Sequence, residues 1–343
     1  MKKLIATILT AITVVFTGAF AVGCGPTDKG FNVYMPDGAP ALALSKLMVE
    51  NETLGVNAKY HVSSATAIGS YVANGSADIA ILPIADASTL CGDGSNYKMI
   101  ASVTNGNLFV IGKGKGTTLA DLVGKKVAVA NLPKFPGIAF RALLKKNDID
   151  FVQISDDTNV VADPNKVNLV GIAGTAVKAS LDVYDYIVAP QPAATNAIKN
   201  VDGAEIRMDI QQLWGGDMVQ AVAVIKASLA TNTTLINNFL TALAKTTNEW
   251  LTTNKAEAVN AINAHYGDST STLNANALNA TSIAGSNIKV VTAINAGFNS
   301  GDNAMLVELS ELKSRVNNMI SSFSALNDTP NPIGTVTDAF YIA

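Results

Sequence analysis

From residue 31 onward, apolar positions alternate between short continuous runs that suit strands and spacings of three and four that suit helices. Residues 31–35 predict a strand, Pro36-Asp37-Gly38-Ala39-Pro40 a turn, and Pro40 the first position of a helix running to about Asn51. Residues 56–61 predict a second strand. Ser63 and Ser64 then offer hydroxyls to cap a helix on which Ile68, Tyr71 and Val72 share a face, and Gly75 ends it. Residues 77–82 read Ala-Asp-Ile-Ala-Ile-Leu, nearly uninterrupted, as parallel strands covered on both faces do. The alternation resumes with a short helix at 119–122, strand 126–130, helix 136–147 and strand 151–154. It continues with helix 176–181, strand 186–189, helix 192–199, strand 206–209 and the apolar strand 219–225. Beyond that the pattern is helical. Ile236, Phe239, Leu240, Leu243, Thr247, Trp250 and Leu251 trace one face, and Leu306, Leu309, Leu312, Val316, Met319, Ile320 and Phe323 another. Strands alternating with short helices predict an α/β fold with parallel-rich sheets and a helical C-terminal part.

The N-terminus carries a different signal. Lys2 and Lys3 precede an uncharged apolar run from Leu4 to Val22, and small residues follow, as in a secretory signal peptide. The run is borderline in length for a membrane span, and threonines and a glycine dilute it. Ala21-Val22-Gly23-Cys24 resembles the bacterial lipobox, although leucine is usual where Ala21 stands. That resemblance implies removal of residues 1–23, lipidation of Cys24 and anchoring at the extracytoplasmic face of a bacterial cell membrane; an uncleaved anchor is the competing reading. Residues 24–30 are short and polar and predict a tether.

Removing residues 1–23 of the 343 leaves 320, enough for two substantial cores. It also leaves 22 basic against 27 acidic residues, which speaks against nucleic acid as a partner. With Cys24 lipidated, Cys91 stands alone and the core must hold the fold without a disulfide.

Catalytic chemistry is sparse. The two histidines, His61 and His265, stand far apart in sequence, and a pairing of Cys91 with His61 has nothing local to orient it. No His, Cys or carboxylate cluster has metal-ligand spacing, so neither metal nor cofactor is expected. Gly112-Lys113-Gly114-Lys115-Gly116 fits neither phosphate-binding glycine motif and reads as a hinge or a surface turn.

Several segments, taken in order, resemble the solute-binding lipoproteins of ABC importers, in the branch handling nitrate, alkanesulfonates, taurine and thiamine-pyrimidine precursors. Asn74-Gly75-Ser76-Ala77-Asp78-Ile79-Ala80-Ile81-Leu82-Pro83 is similar to that family's G-x-A-D-hydrophobic strand. Leu119-Ala120-Asp121-Leu122-Val123-Gly124-Lys125-Lys126-Val127-Ala128-Val129 is similar to the opening of its second lobe. Leu213-Trp214-Gly215-Gly216, the helix ending Glu249-Trp250-Leu251, and Asp338-Ala339-Phe340-Tyr341 fit its later parts.

The resemblance implies a bilobal type II periplasmic-binding fold. Lobe I would combine residues 31–112 and 213–343, lobe II would hold 113–212, and crossovers would lie near 106–116 and 210–216. It implies a monomeric receptor, not an enzyme, that closes on a small solute and delivers it to membrane permease subunits. Ligands in such folds bind outside the carboxyl ends of the strands, against helix starts. The expected ligand-binding residues are therefore Asp37, Gly38, Ala39, Ser63, Ser64, Pro83, Asn131, Lys134, Phe135, Gly137, Gln191 and Trp214. Lys134, with Arg141 a turn deeper, would serve an oxyanion. Tyr34, Phe135, Trp214, Asp37, Asn131 and Gln191 would serve a neutral heteroaromatic, and the balance favours a largely neutral organic solute. The alternative is an enzyme or sensor on the same fold. Eukaryotic relatives make the thiamine pyrimidine through a cysteine-rich motif, which this chain lacks.

Overall fold

The computed structural model describes residues 30–50, 54–155, 160–199, 201–267, 271, 273–326 and 333–342. The signal segment and Cys24 lie outside them. The first half of the chain runs β1 (Phe31–Pro36), α1 (Ala39–Glu50), β2 (Ala58–Ser63), α2 (Ala65–Ala73), β3 (Ile79–Pro83), α3 (Ile84–Cys91), β4 (Tyr97–Thr104) and β5 (Leu108–Gly112). The middle runs β6 (Lys126–Ala130), α4 (Phe135–Lys146), β7 (Phe151–Ile154), β8 (Val167–Ile172), α5 (Val177–Ser180), β9 (Tyr186–Pro190), α6 (Ala193–Ile198), β10 (Glu205–Asp209) and α7 (Ile210–Trp214). The remainder is β11 (Ala221–Lys226), α8 (Thr233–Ala244), α9 (Asn248–Thr253), α10 (Lys255–Ala264), α11 (Ala280–Gly285), β12 (Ile288–Thr292), β13 (Ala304–Leu306) and α12 (Leu309–Leu326).

The strands form two sheets, in the orders β13-β12-β4-β11-β3-β1-β2 and β10-β5-β9-β6-β8-β7. In the first, β1 pairs parallel with β2 and β3, whereas β11 pairs antiparallel with both β3 and β4. In the second, β6 pairs parallel with β8 and β9, and β5 antiparallel with β9 and β10. The central strands β3, β6, β9 and β11 are buried almost throughout, which is why they read as unbroken apolar runs. The α/β architecture with two parallel-rich sheets agrees with the sequence pattern.

Three local outcomes differ from that pattern. The C-terminal part is not wholly helical, because β12 and β13 extend the first sheet beside β4. The long helical face ending at Leu251 is divided, since α8 stops at Ala244 and Thr247 caps a new helix by accepting a bond from Trp250 N. Leu306 leaves the α12 face altogether, being half-exposed in β13, while Leu312, Val316, Met319, Ile320 and Phe323 are buried.

Chain passage between the sheets occurs twice. β4 gives way to β5 through Asn105-Gly106-Asn107, and β10 gives way to β11 through α7 and residues 215–220. The two passages run side by side. Met218 N donates to Asn105 O, and Gln220 N to Thr104 O, both at 3.0 Å. The Gln211 side chain brackets Leu108, accepting from its N at 2.7 Å and donating to its O at 3.0 Å. Gly106 permits this: its φ is +96°, and a Cβ there would meet Gln211 Cγ at 2.4 Å. The sheet change therefore precedes the glycine-rich stretch. Gly114 N and Gly116 N are tied to Asp185 O and the Tyr186 hydroxyl, so that stretch is a surface turn on the second sheet.

Candidate functional site

At the carboxyl ends of β1, β2, β3, β6, β8 and β9, six strand-to-helix loops converge on a cleft of about 390 Å³, the loop after β8 through Gly174 and Thr175. The first sheet contributes Asp37, Gly38 and Ala39 from the loop before α1, Ser63 and Ser64 from the loop before α2, and Pro83 and Asp86 around the start of α3. The second sheet contributes Asn131, Lys134 and Phe135 before and at the start of α4, and Pro190 and Gln191 before α6. Asn107, Gln220 and Ala221 belong to the passages and to the strand that follows them.

Each loop has a local reason for its shape. Asp37 accepts hydrogen bonds from Gly38 N at 2.8 Å and from the Ser271 hydroxyl, and Gly38 turns the chain at φ +91°. Ser64 caps α2 by accepting from Ala67 N at 3.3 Å. Asn131 adopts a left-handed backbone at φ 53°, with its N–H on Ile172 O and its carbonyl accepting from Lys134 N. Arg141, buried in α4, donates to Leu132 O at 3.3 Å and so fixes the same loop from beneath. The Gln191–Pro192 peptide is cis.

Of the twelve residues expected to bind ligand, ten line this cleft: all except Gly137 and Trp214. Gly137 serves close packing, because a Cβ there would lie 1.9 Å from Leu132 O. Trp214 is edge-on to Phe323 at 5.2 Å, with the Lys146 ammonium 4.4 Å from its ring centroid. Several residues in the cleft are committed elsewhere. Lys134 Nζ sits 3.1 Å from Asp86 Oδ1, linking the β6–α4 loop to α3. Phe135 is buried against Phe323, with ring centroids 5.8 Å apart. Gln191 spends both ends of its amide on Thr195, accepting from its N and donating to its hydroxyl.

Tyr34 lies outside the cleft, stacked between His61 and Tyr71 at 4.3 Å from each. Burial raises its phenol pKa, helped by the charges of Tyr71 and Asp78. His61 bonds Asn32 Oδ1 at 3.0 Å, and burial, followed by the nearby His265 and Lys59, holds its imidazole below the usual value. Cys91 is fully buried, and burial pushes its thiol up to about 12. None of these three groups lines the cleft. Among the described residues no group of three or more His, Cys, Asp or Glu is placed to hold a metal ion.

Sequence reasoning missed Asn107, Gln220, Tyr266, Leu273 and Asn274, all of which line the cleft. The Asn105-Gly106-Asn107 turn between two apolar runs was a usable signal. Tyr266 and Leu273 carry none, since they arrive from a distant loop; the Asp37 charge, after burial, raises the Tyr266 phenol.

No family model and no curated protein sequence matches the chain. Solved structures do. An ABC transporter protein from Parabacteroides distasonis superposes with a TM-score of 0.64 at 15% identity, covering 91% of this chain and 98% of that one. The alkanesulfonate-binding protein of Xanthomonas axonopodis pv. citri, bound to MOPS, gives 0.55 at 12% identity, covering 88% and 96%. The ligand-binding component of an ABC-type import system from Staphylococcus aureus, with zinc bound, gives 0.55 at 12%, covering 90% and 96%. The chain has the fold of these binding proteins.

Proposed function

We propose that the chain is the extracytoplasmic solute receptor of an ABC importer and not an enzyme. One observation carries this reading: a cleft lies at the strand ends of both sheets, bordered by the two chain passages between them. Such a cleft closes by bending at the passages and so converts solute binding into a shape that a permease can read. The names of the similar structures support the same role, and their identities near an eighth leave the solute open. The exclusion of Cys91, His61 and His265 from the cleft lining speaks against a nucleophile–base pair at this site.

In this reading the first sheet and its helices form lobe I and the second sheet forms lobe II, close to the division 31–112 plus 213–343 and 113–212. Because β5 pairs with β9 in the second sheet, we draw one boundary at the Asn105–Asn107 passage; α12 packs on α4 across the division. The receptor acts as a monomer tethered through lipidated Cys24. A panel of sulfonates, nitrate, bicarbonate, pyrimidines and flavins tests the role. One solute should bind at one site, compact the particle in X-ray scattering and, at about a hundredfold excess over Kd, stabilise it by roughly 2.7 kcal/mol. Turnover of any of these compounds would point to the enzyme instead. Cys24→Ala should move the protein from the membrane fraction to soluble form; an intact mass still containing residues 1–23 would sink the lipid anchor.

A further inference from the structure

We propose that this cleft is built for a solute whose recognised group is an N–H donor, neutral or cationic, such as an amide, amidine or ammonium, and that it turns oxyanions away. The inference rests on the receptor reading and names the chemistry of its solute.

The central observation is Asn107, a residue of the cleft lining that is only 2% exposed and whose Oδ1 is closed to solvent in this form, so that a solute would reach it as the cleft closes. Three of its four polar groups are placed. Its backbone N donates to Gln220 Oε1 at 3.0 Å, its backbone O accepts from Gln191 N at 2.7 Å, and its Nδ2 donates to Gln191 O at 2.8 Å. A carbonyl can only accept, so the amide orientation is set and the remaining atom is an acceptor. That atom, Oδ1, has no hydrogen-bond partner among the described residues. A buried acceptor without a donor is costly, and a solute N–H in the cleft would supply one.

Several of the N–H donors that an oxyanion would need near the helix starts are taken within the chain. Gly38 N is taken by Asp37, Ala67 N by Ser64, Ile84 N by Gln220 O and Thr195 N by the Gln191 side chain. Pro40, Pro136 and Pro192 fall at or beside the starts of α1, α4 and α6 and have no N–H to give. The charges agree. Among the described residues the charged side chains lining the cleft are Asp37, Asp86 and Lys134, and Lys134 is already paired with Asp86. Arg141 is absent from the lining and is turned to Leu132 O. An oxyanion would find its nearest full positive charge shared with a carboxylate; an N–H donor would find Asn107 Oδ1 and a net negative wall.

Calorimetry on the purified protein with two probe sets tests this. One set is butanamide, benzamidine, butylammonium and 4-aminopyrimidine; the other is butanesulfonate, methanesulfonate, nitrate and bicarbonate. At least one donor probe should bind at one site per chain, and no oxyanion should bind as tightly. Asn107→Leu should weaken the bound donor probe about ten- to a hundredfold. Asn107→Asp keeps an acceptor and adds charge, so it should hold or strengthen the cationic probes; it reports the same contact if the leucine variant does not fold. Circular dichroism and unliganded melting curves establish folding for both. Tight binding of an oxyanion, or donor binding unchanged by Asn107→Leu, overturns the inference and leaves the receptor role standing. Failure of every probe in both sets, or turnover of any, overturns both.

Discussion

The Lys134 ammonium lies 3.1 Å from the Asp86 carboxylate, joining the loop after β6 of one sheet to the first turn of α3 beside the other. Their side chains are 48% and 20% exposed, so water screens much of the attraction. Lys134→Ala should therefore change the unfolding free energy by no more than about 1 kcal/mol in urea titrations. A loss several times larger would mean that the pair is far better shielded than its exposure indicates.

Phe135 borders the cleft yet belongs to the core, 3% exposed and tilted against Phe323. Phe135→Ala should open a cavity beneath α4 and α12 and cost about 3–5 kcal/mol. The midpoint of chemical unfolding reports this directly. A variant as stable as the parent, with altered solute affinity alone, would show that the ring is a binding surface and not a support.

The lower pKa values of His61 and His265 give stability a pH window. Burial is the first cause for both, and their ordinary value is about 6.5. Because the folded values lie lower, the unfolded chain binds more protons just below that pH, and stability rises with pH through the window. It is complete above about pH 6.5 and is lost as pH falls toward the folded values. Urea midpoints should fall between about pH 7 and pH 5, and His61→Gln should flatten that slope. Equal slopes in parent and variant would remove His61 from the account.

Cys91 should resist thiol reagents. Its side chain is 0% exposed and its pKa is raised to about 12, first by burial and then by the charge of Asp93. In a Cys24→Ser background at about pH 8 the native protein should react slowly with an aromatic disulfide and fully in urea. Rapid labelling of the folded chain would contradict the burial.

Much of the layered fold was legible because its central strands are covered on both faces, as Ile79, Ala80, Ile81 and Leu82 are, all at 0% exposure. Leu108–Gly112 carries the same signal and forms β5 of the second sheet, inside the span expected to cross between lobes. β8 was obscured by Asn168 and Gly171; Asn168 is fully buried because its amide finds Asp163 O and Lys166 O. β13 is three residues long and takes its identity from pairing with β12, which no local pattern announces. The cleft was legible where a strand end meets a helix start. It was illegible where side chains are spent elsewhere, as Gln191 is on Thr195, or arrive from afar, as Leu273 does.

Asn107 is held by Gln220 on one passage and by Gln191 on the second sheet, which puts it at the fulcrum of any bending between the sheets. A contact made at a fulcrum has no lever arm. A solute touching Asn107 is selected there but gains little torque, whereas contacts at the rim, out by Lys134 and Asp86, act at full radius. If the cleft closes on a solute as proposed, the choice of solute and the work of closing on it would be seated in different residues, and each could be altered with the other left in place.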